Sequence, residues 1–366
     1  MYEEAVDYLD SIDEDDTVLV VNHWDMDGSC SAAIISKIIE EVRGDGADFL
    51  KVPEGRKHYV GESTERLVQK KDITKLIVLD ISVPSDRVSE LTEEFGLDVL
   101  VIDHHDFDRD PEKGILVNPR KENPDIYIPA SKLCNDISKR FGLDLDWIAG
   151  LGIIQDFGVN QAMGLFEKLK RLHPQYFPSN LSQYNLAKNC RYGTYSSVMN
   201  VKPYKDTNRC SKLVFEVLTE SRGIKYIESH DSYKELYKSY ESVSQEIENI
   251  KENFEEEKEV YEDKKLVIFT FESPYHVNSS LATQISVDNK DWVFVTIRMF
   301  DGSANISSRC QSGRLDLGGV LRKSLPEDVD EKAEAGGHRK AAGASMSREH
   351  VEKFKENVIE NMPQVE

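Results

Sequence analysis

The stretch TVLVVNHWDMDGSCSAAIISKIIEEV, residues 17–42, decides how this chain folds. TVLVVN (17–22) is a short apolar run rich in β-branched residues and reads as a buried strand. HWDMDG (23–28) follows as a polar loop, and SCSAAIISKIIEEV (29–42) as a helix with an apolar face. Strand, loop and helix in that order begin a βαβ unit. In sheets of this kind ligands sit beyond the carboxyl ends of the strands. His23, Asp25 and Asp27 therefore stand at such an end.

The pattern continues outward. KLIVLD (75–80), DVLVI (98–102) and ILVN (115–118) read as strands, with a helix candidate at 85–95. Short β-branched runs alternating with helical stretches predict a doubly wound parallel sheet. Residues 128–156 look helical, and 160–230 mix helix and loop signals. Three strands bring chemistry to one edge: the first leads to His23, Asp25 and Asp27, the second ends in Asp80, and the third leads to Asp103, His104 and His105. Asp156 ends an apolar helical run. A single aspartate at a strand end is ordinarily a cap or turn residue. Four or five carboxylates on one edge repel one another without cations. Carboxylates with imidazoles and no thiolate favour Mn²⁺ or Mg²⁺ over structural zinc. Two such ions about 3.5–4 Å apart can hold a phosphoryl group and activate water for in-line attack.

Beyond residue 230 the character changes. Residues 232–262 read as one long acidic helix, with Leu236, Tyr240, Val243, Ile247, Ile250 and Phe254 forming an apolar stripe. The seam is short, which favours a linker packed on its own chain over a coiled-coil homodimer, although both fit the spacing. KLVIFTF (265–271), DWVFVTIRM (291–299) and SANISSRC (303–310) read as strands, and 348–360 as a closing helix. The expected organisation is an α/β domain with the metal-ligand candidates at 1–230, a helical linker at 231–264 and a smaller α/β domain at 265–366.

Composition narrows the choices. With 39% hydrophobic and 31% charged residues, the chain can build more than one core and is not disordered. No window approaches 18 uninterrupted apolar residues, so no membrane span is expected. The N-terminus is acidic where a signal peptide is basic, and the five cysteines are scattered, which together suggest a reducing cytoplasm. A net charge of −21 disfavours nucleic-acid binding over the whole surface. The run from Arg298 to Lys323, with five basic and two acidic residues, is a local exception.

HWDMDG (23–28), LDIS (79–82), IDHH (102–105) and QDFG (155–158) resemble the four motifs of the DHH phosphoesterase superfamily. GGHRKAAGAS (336–345) resembles the signature of its DHHA1 domain. The resemblance implies roles residue by residue. Asp25 would bind one divalent cation and Asp27 a second, with Asp80 bridging them and His104 and Asp156 completing the second site. Asp103 would orient the histidine ligand, and His105 would sit near the scissile phosphate. His23 lies two residues before the first aspartate, as in RecJ-like archaeal proteins, whereas pyrophosphatase and NrnA patterns place the histidine four before, at Val21 here. It is a ligand or a near-ligand. In the C-terminal domain Gly336, Gly337 and Gly343 would form a phosphate-approaching loop leading into a helix, with Ala335 replacing a family glycine. His338, Arg309 and Arg298 would contact phosphates. Trp24, Tyr59, Phe107, Tyr127 and Tyr275 are candidates for base stacking, and Arg56, Lys57, Arg120 and Lys121 for tracking a strand backbone.

The resemblance implies a two-cation phosphodiesterase, using Mn²⁺ ahead of Mg²⁺. It would act as a RecJ-like exonuclease in DNA repair, on single-stranded DNA or RNA, releasing mononucleotides. The alternatives are an oligoribonuclease, a pAp phosphatase or a cyclic-dinucleotide phosphodiesterase, acting on short oligonucleotides. A further alternative is a non-catalytic subunit that binds a replication or repair protein through its acidic helix.

Overall fold

The computed structural model describes residues 2–53, 60–200, 207–329 and 333–365. The chain divides into two units, the first reaching Lys238 and the second starting at Ser239, within one long helix.

The first unit opens with helix α1 (Glu3–Asp10), strand β1 (Val18–Asn22), α2 (Met26–Arg43), β2 (Phe49–Lys51) and α3 (Glu62–Lys71). It continues with β3 (Lys75–Leu79), α4 (Ser85–Phe95), β4 (Asp98–Ile102) and β5 (Ile115–Val117). The strands form one parallel sheet in the order β2-β1-β3-β4-β5. Burial on both faces explains why β1 and β3 are continuous apolar runs. Leu19, Val21, Leu76, Val78, Val99 and Val101 face Val68 of α3 and Val88 and Leu91 of α4. Each such side chain contributes roughly 1.5–3 kcal/mol by leaving water. On the other side α2 packs against β1 and β3, and α5 (Ala130–Ser138) against β4, with α6 (Asp146–Gln155) packed on both helices. Helices on both faces make the sheet doubly wound.

The region of mixed signals resolves into short helices: α7 (Met163–Leu172), α8 (Gln183–Lys188), α9 (Arg191–Met199) and α10 (Thr207–Glu220). Helix α11 (Asp231–Glu257) follows. It ends five residues earlier than its charge pattern predicts, because Glu259–Tyr261 forms β6 and pairs with the next strand.

The second unit holds the rest of α11, then β6, β7 (Leu266–Glu272), α12 (Asn278–Ser286), β8 (Val293–Phe300), β9 (Ser303–Arg309), α13 (Leu317–Ser324), β10 (Glu334–Gly337), β11 (Ala341–Ser347) and α14 (Val351–Asn361). Its sheet runs β10-β11-β9-β8-β7-β6, with only β7 and β8 parallel. Leu317 and Leu321 of α13 and Phe354 and Val358 of α14 cover one face. Ile250 and Phe254 of α11, with Leu281 of α12, cover the other. The apolar stripe of the acidic helix is thus used within its own chain.

One expectation is corrected here. GGHRKAAGAS is not a loop leading into a helix but the β10–β11 hairpin, with Gly336 opposite Gly343. Its small residues serve close packing: a Cβ on Gly318 of α13 would lie 2.4 Å from the Gly337 carbonyl oxygen. Among the described residues no helix is long and apolar enough to cross a membrane.

Candidate metal centre

Strand register assembles the site. Asn22, Leu79 and Ile102 share one row across β1, β3 and β4, and Ile102 pairs with Val117 of β5. The row continues one residue further: His23 N donates to Leu79 O (3.0 Å), Asp80 N to Ile102 O (2.9 Å) and Asp103 N to Val117 O (3.0 Å). Neighbouring parallel strands lie about 4.8 Å apart, so His23, Asp80 and Asp103 stand abreast. Asp80 has φ +58°, in the left-handed region that aspartate tolerates better than most residues. The chain leaves the strand there and the carboxylate stays buried.

Helix ends supply the remaining groups. Asp25 caps α2, its Oδ1 accepting from Gly28 N at 3.0 Å and its Oδ2 lying 2.7 Å from His23 Nδ1. Gly28 is required by close approach, since a Cβ there would sit 2.4 Å from His23 O. Asp27, in the first turn of α2, accepts from the start of α5: from Ala130 N (2.7 Å), Ser131 N (3.1 Å) and Ser131 Oγ. Asp156 ends α6 and accepts from the Tyr127 hydroxyl at 2.6 Å.

Three overlapping groups result, with ligand atoms in each lying within 4.8 Å of one another: His23, Asp25 and Asp80; Asp27, His104 and Asp156; and Asp80, Asp103, His104 and His105. Asp80 joins them. Its Oδ2 is 3.5 Å from His23 Nδ1, while its Oδ1 is 3.2 Å from His104 Nε2. His104 Nε2 also lies 3.5 Å from Asp156 Oδ2.

The electrostatics fit cations. Burial, with Asp25 and Asp27 nearby, raises the Asp80 carboxyl well above its ordinary value. Burial also raises Asp27. Burial and then the charge of Asp27 push Asp156 up to about 7. Burial works against a charged His23, but Asp25 and Asp80 outweigh it and hold the imidazole at about 9. Among the described residues the partners of Asp27, Asp80 and Asp156 are imidazoles, hydroxyls and backbone amides, with no lysine or arginine. Buried carboxylates are rare without paired charge. An oxygen-and-imidazole set whose central carboxylate faces both groups suits a pair of hard divalent cations.

The other expected residues fall out differently. Asp103 does not orient His104. It holds His105, with Oδ1 2.7 Å from Nδ1 and Oδ2 accepting from the His105 amide at 3.2 Å. This pairing outweighs burial and raises the His105 imidazole. Arg298, in the second unit, is fully buried and donates to Tyr275 O (2.7 Å) and Asn305 Oδ1 (2.8 Å). Its guanidinium braces the loop after β7, which removes it from the substrate-contacting set. Arg309 lies over the first turns of α12, donating to Ser279 Oγ at 2.7 Å and Thr283 Oγ1 at 3.2 Å. Ala341 pairs with Arg309 and closes the hairpin with His338, so His338, Ala341 and Arg309 share one row. His338 and Gly337 are exposed, and Gly336 is half-buried beside them. Trp24 packs its ring 4.9 Å from that of His23, and Phe107 packs against the sheet core. Arg120 donates to His104 O at 2.9 Å and pairs with Asp106, while Lys121 pairs with Asp110. Arg56, Lys57 and Tyr59 lie outside the described residues.

Tyr127 acts differently from the expected base stacking. Its hydroxyl holds the side chain of Asp156 and also donates to its carbonyl (2.7 Å), and its ring meets His104 edge-on at 5.0 Å. No local spacing links it to Asp156, 29 residues on. Tyr127→Phe is expected to weaken Mn²⁺ binding about 10–100-fold, as loss of a partner that orients a ligand does. Calorimetric titration with Mn²⁺ checks this, and unchanged affinity would remove Tyr127 from the site.

Residues 17–157 match the DHH family, N-terminal domain. That segment is a DHH-type N-terminal domain, and the chain has a RecJ-like fold. Over 224 residues it is 24% identical to an uncharacterised protein of Methanocaldococcus jannaschii, covering 58% of this chain but only 47% of that protein, so it spans about half the length of this curated relative. A structure of exonuclease RecJ bound to manganese superposes with a TM-score of 0.66, at 19% identity over 97% of this chain and 92% of that one. CDC45 from Entamoeba histolytica superposes at 0.62, with 13% identity over 99% of this chain and 98% of that one.

Proposed function

We propose that this protein is a divalent-cation-dependent phosphodiesterase that removes mononucleotides from an end of single-stranded DNA or RNA. The observation that carries the reading is Asp80, whose two oxygens are divided between the His23 and His104 groups at 3.5 and 3.2 Å. The matching family domain and the RecJ-like fold support it. His23, Asp25 and Asp80 would hold one cation, and Asp80, Asp27, His104 and Asp156 the other. Bound there, the cations would polarise a phosphate and lower the pKa of water.

The chain's own residues do the rest. Asp27 is fixed by the start of α5 and Asp156 by Tyr127, so the ligands are positioned in advance. His105 is partly exposed, and its Nδ1 is held by Asp103, which leaves Nε2 to face substrate. A raised imidazole there can donate a proton to the departing oxygen. Arg309 and His338 are the phosphate-binding candidates of the second unit. The complete set of acidic ligands argues against the non-catalytic reading.

The test is digestion of end-labelled single strands of roughly twenty nucleotides, a length beyond one oligonucleotide-binding module. DNA and RNA are tried with Mn²⁺, beside a labelled dinucleotide. A ladder from one end, abolished by Asp156→Ala, is the expected result and gives the polarity. Cleavage of the dinucleotide alone would replace the exonuclease by an oligoribonuclease or a phosphodiesterase of signalling nucleotides. Cleavage of neither would leave a partner-binding subunit.

A further inference from the structure

A cavity of about 500 Å³ lies in the first unit, directly behind the loop that carries His23 and Asp25. That volume falls within the range of about 300–1,000 Å³ usual for small-molecule sites. Its floor is polar and buried, formed by Asn22 and Ser29. Its walls include Leu50 of the edge strand β2 and Phe215 of α10, with Ser211 and Lys212 beside Phe215. Leu50 is 39% exposed.

The floor joins the cavity to the metal centre. Asn22 Nδ2 donates to His23 O at 2.7 Å, and Ser29 Oγ donates to Asp25 O at 2.6 Å. Among the described residues Asn22 Oδ1 accepts no hydrogen bond, yet it belongs to a buried side chain that lines the space. An acceptor on that lining can take a donor from a ligand. The ligand must also present apolar faces to Leu50 and Phe215. Inorganic phosphate does not meet this description, because it would place an anion beside an unpaired acceptor and apolar walls. Two lysines line the cavity, Lys51 of β2 and Lys212 of α10, and Lys212 is exposed and lies 3.9 Å from Glu216, a carboxylate of the same lining. A planar heterocycle with an exocyclic amino or ring N–H donor does meet it.

We infer that this cavity seats the nucleobase of the nucleotide being processed, between Leu50 and Phe215, with Asn22 and Ser29 reading its polar edge. The inference rests on the proposed phosphodiesterase activity and adds a base-recognition site to it. Stacking on an aromatic ring contributes about 1–3 kcal/mol per base.

The test compares two chromogenic diesters with Mn²⁺ on the full chain: thymidine 5′-(p-nitrophenyl) phosphate, which carries a base, and bis(p-nitrophenyl) phosphate, which does not. In Phe215→Ala and Leu50→Ser, kcat/KM for the nucleoside ester is expected to fall by about tenfold or more, mainly through KM, with the base-free diester changed by less than about twofold. Equal losses on both substrates, or no loss on either, would overturn the inference. If the wild-type protein cleaves neither diester, the activity reading fails, and the cavity is tested by equilibrium dialysis with AMP and TMP. Binding by wild type that is lost in Phe215→Ala would sustain the nucleobase site, and absence of binding would overturn it.

Discussion

Replacing Asp80 by asparagine is expected to lower Mn²⁺-dependent phosphodiester hydrolysis by about a thousandfold or more, the scale on which central electrostatic groups act. Bound Mn²⁺ should fall from two ions per chain to one or none. Both effects follow from position. Asp80 is the residue whose oxygens reach both the His23 and the His104 groups. An amide keeps the shape and the hydrogen-bonding capacity but supplies no charge. The metal-free variant should melt no lower than the wild-type protein, because burial already disfavours the charged carboxylate. That separates a lost ligand from a lost fold. Asp125→Asn, an exposed loop substitution, should change neither quantity. Two ions and full activity in Asp80→Asn would end the bridging role.

What was legible in the sequence follows from the kind of information each element carries. β1, β3 and β4 are buried on both faces, so each is a largely apolar run that leads directly into a residue of the candidate site. Parallel register then aligned those ends, and three strand-terminal motifs could be placed on one edge without coordinates. β2 was not read: it is a three-residue edge strand, and no apolar run marks it. The β10–β11 hairpin was misread because Gly and Ala look like a loop, whereas here they admit α13 against the strand. Arg298 read as a phosphate contact in a basic run. Its alternation within β8 places it under α12 with Phe294, a consequence of pairing that a local count of charges cannot show. The Asp103–His105 pair could not be separated from an Asp103–His104 pair by spacing alone, since both histidines are close in sequence and only the turn after β4 decides which ring comes back. The cavity beside Asn22 draws on β1, α2, β2 and α10, residues up to about two hundred apart, and no motif joins them.

The stabilisation conferred by Mn²⁺ should grow as pH rises from about 6 to about 8.5, because cations displace protons from this site. The sign comes from two groups. Asp156 is raised from its ordinary 3.8 to about 7, so the metal-free folded protein holds a proton there that the unfolded chain releases. Its contribution is present at low pH and is lost as pH rises through about 7. His23 is raised from 6.5 to about 9, so its contribution is complete below about 6.5 and is lost as pH rises through about 9. Both make the metal-free first unit less stable in alkaline solution. The loaded protein behaves oppositely, since deprotonated ligands bind the cation more tightly. At a free Mn²⁺ concentration about a thousandfold above Kd, ligand linkage adds about 4 kcal/mol, or roughly 8–16 °C in Tm for a unit of this size. Paired thermal scans with Mn²⁺ or EDTA, kept anaerobic at the upper pH, measure the gap directly. Titration calorimetry in buffers of different ionisation enthalpy gives the protons released, expected to exceed one per chain at pH 7, because His23 is then largely protonated and Asp156 about half so. A gap that stays constant with pH, or Mn²⁺ uptake without proton release, would mean that these buried carboxylates and His23 are not the groups that receive the metal.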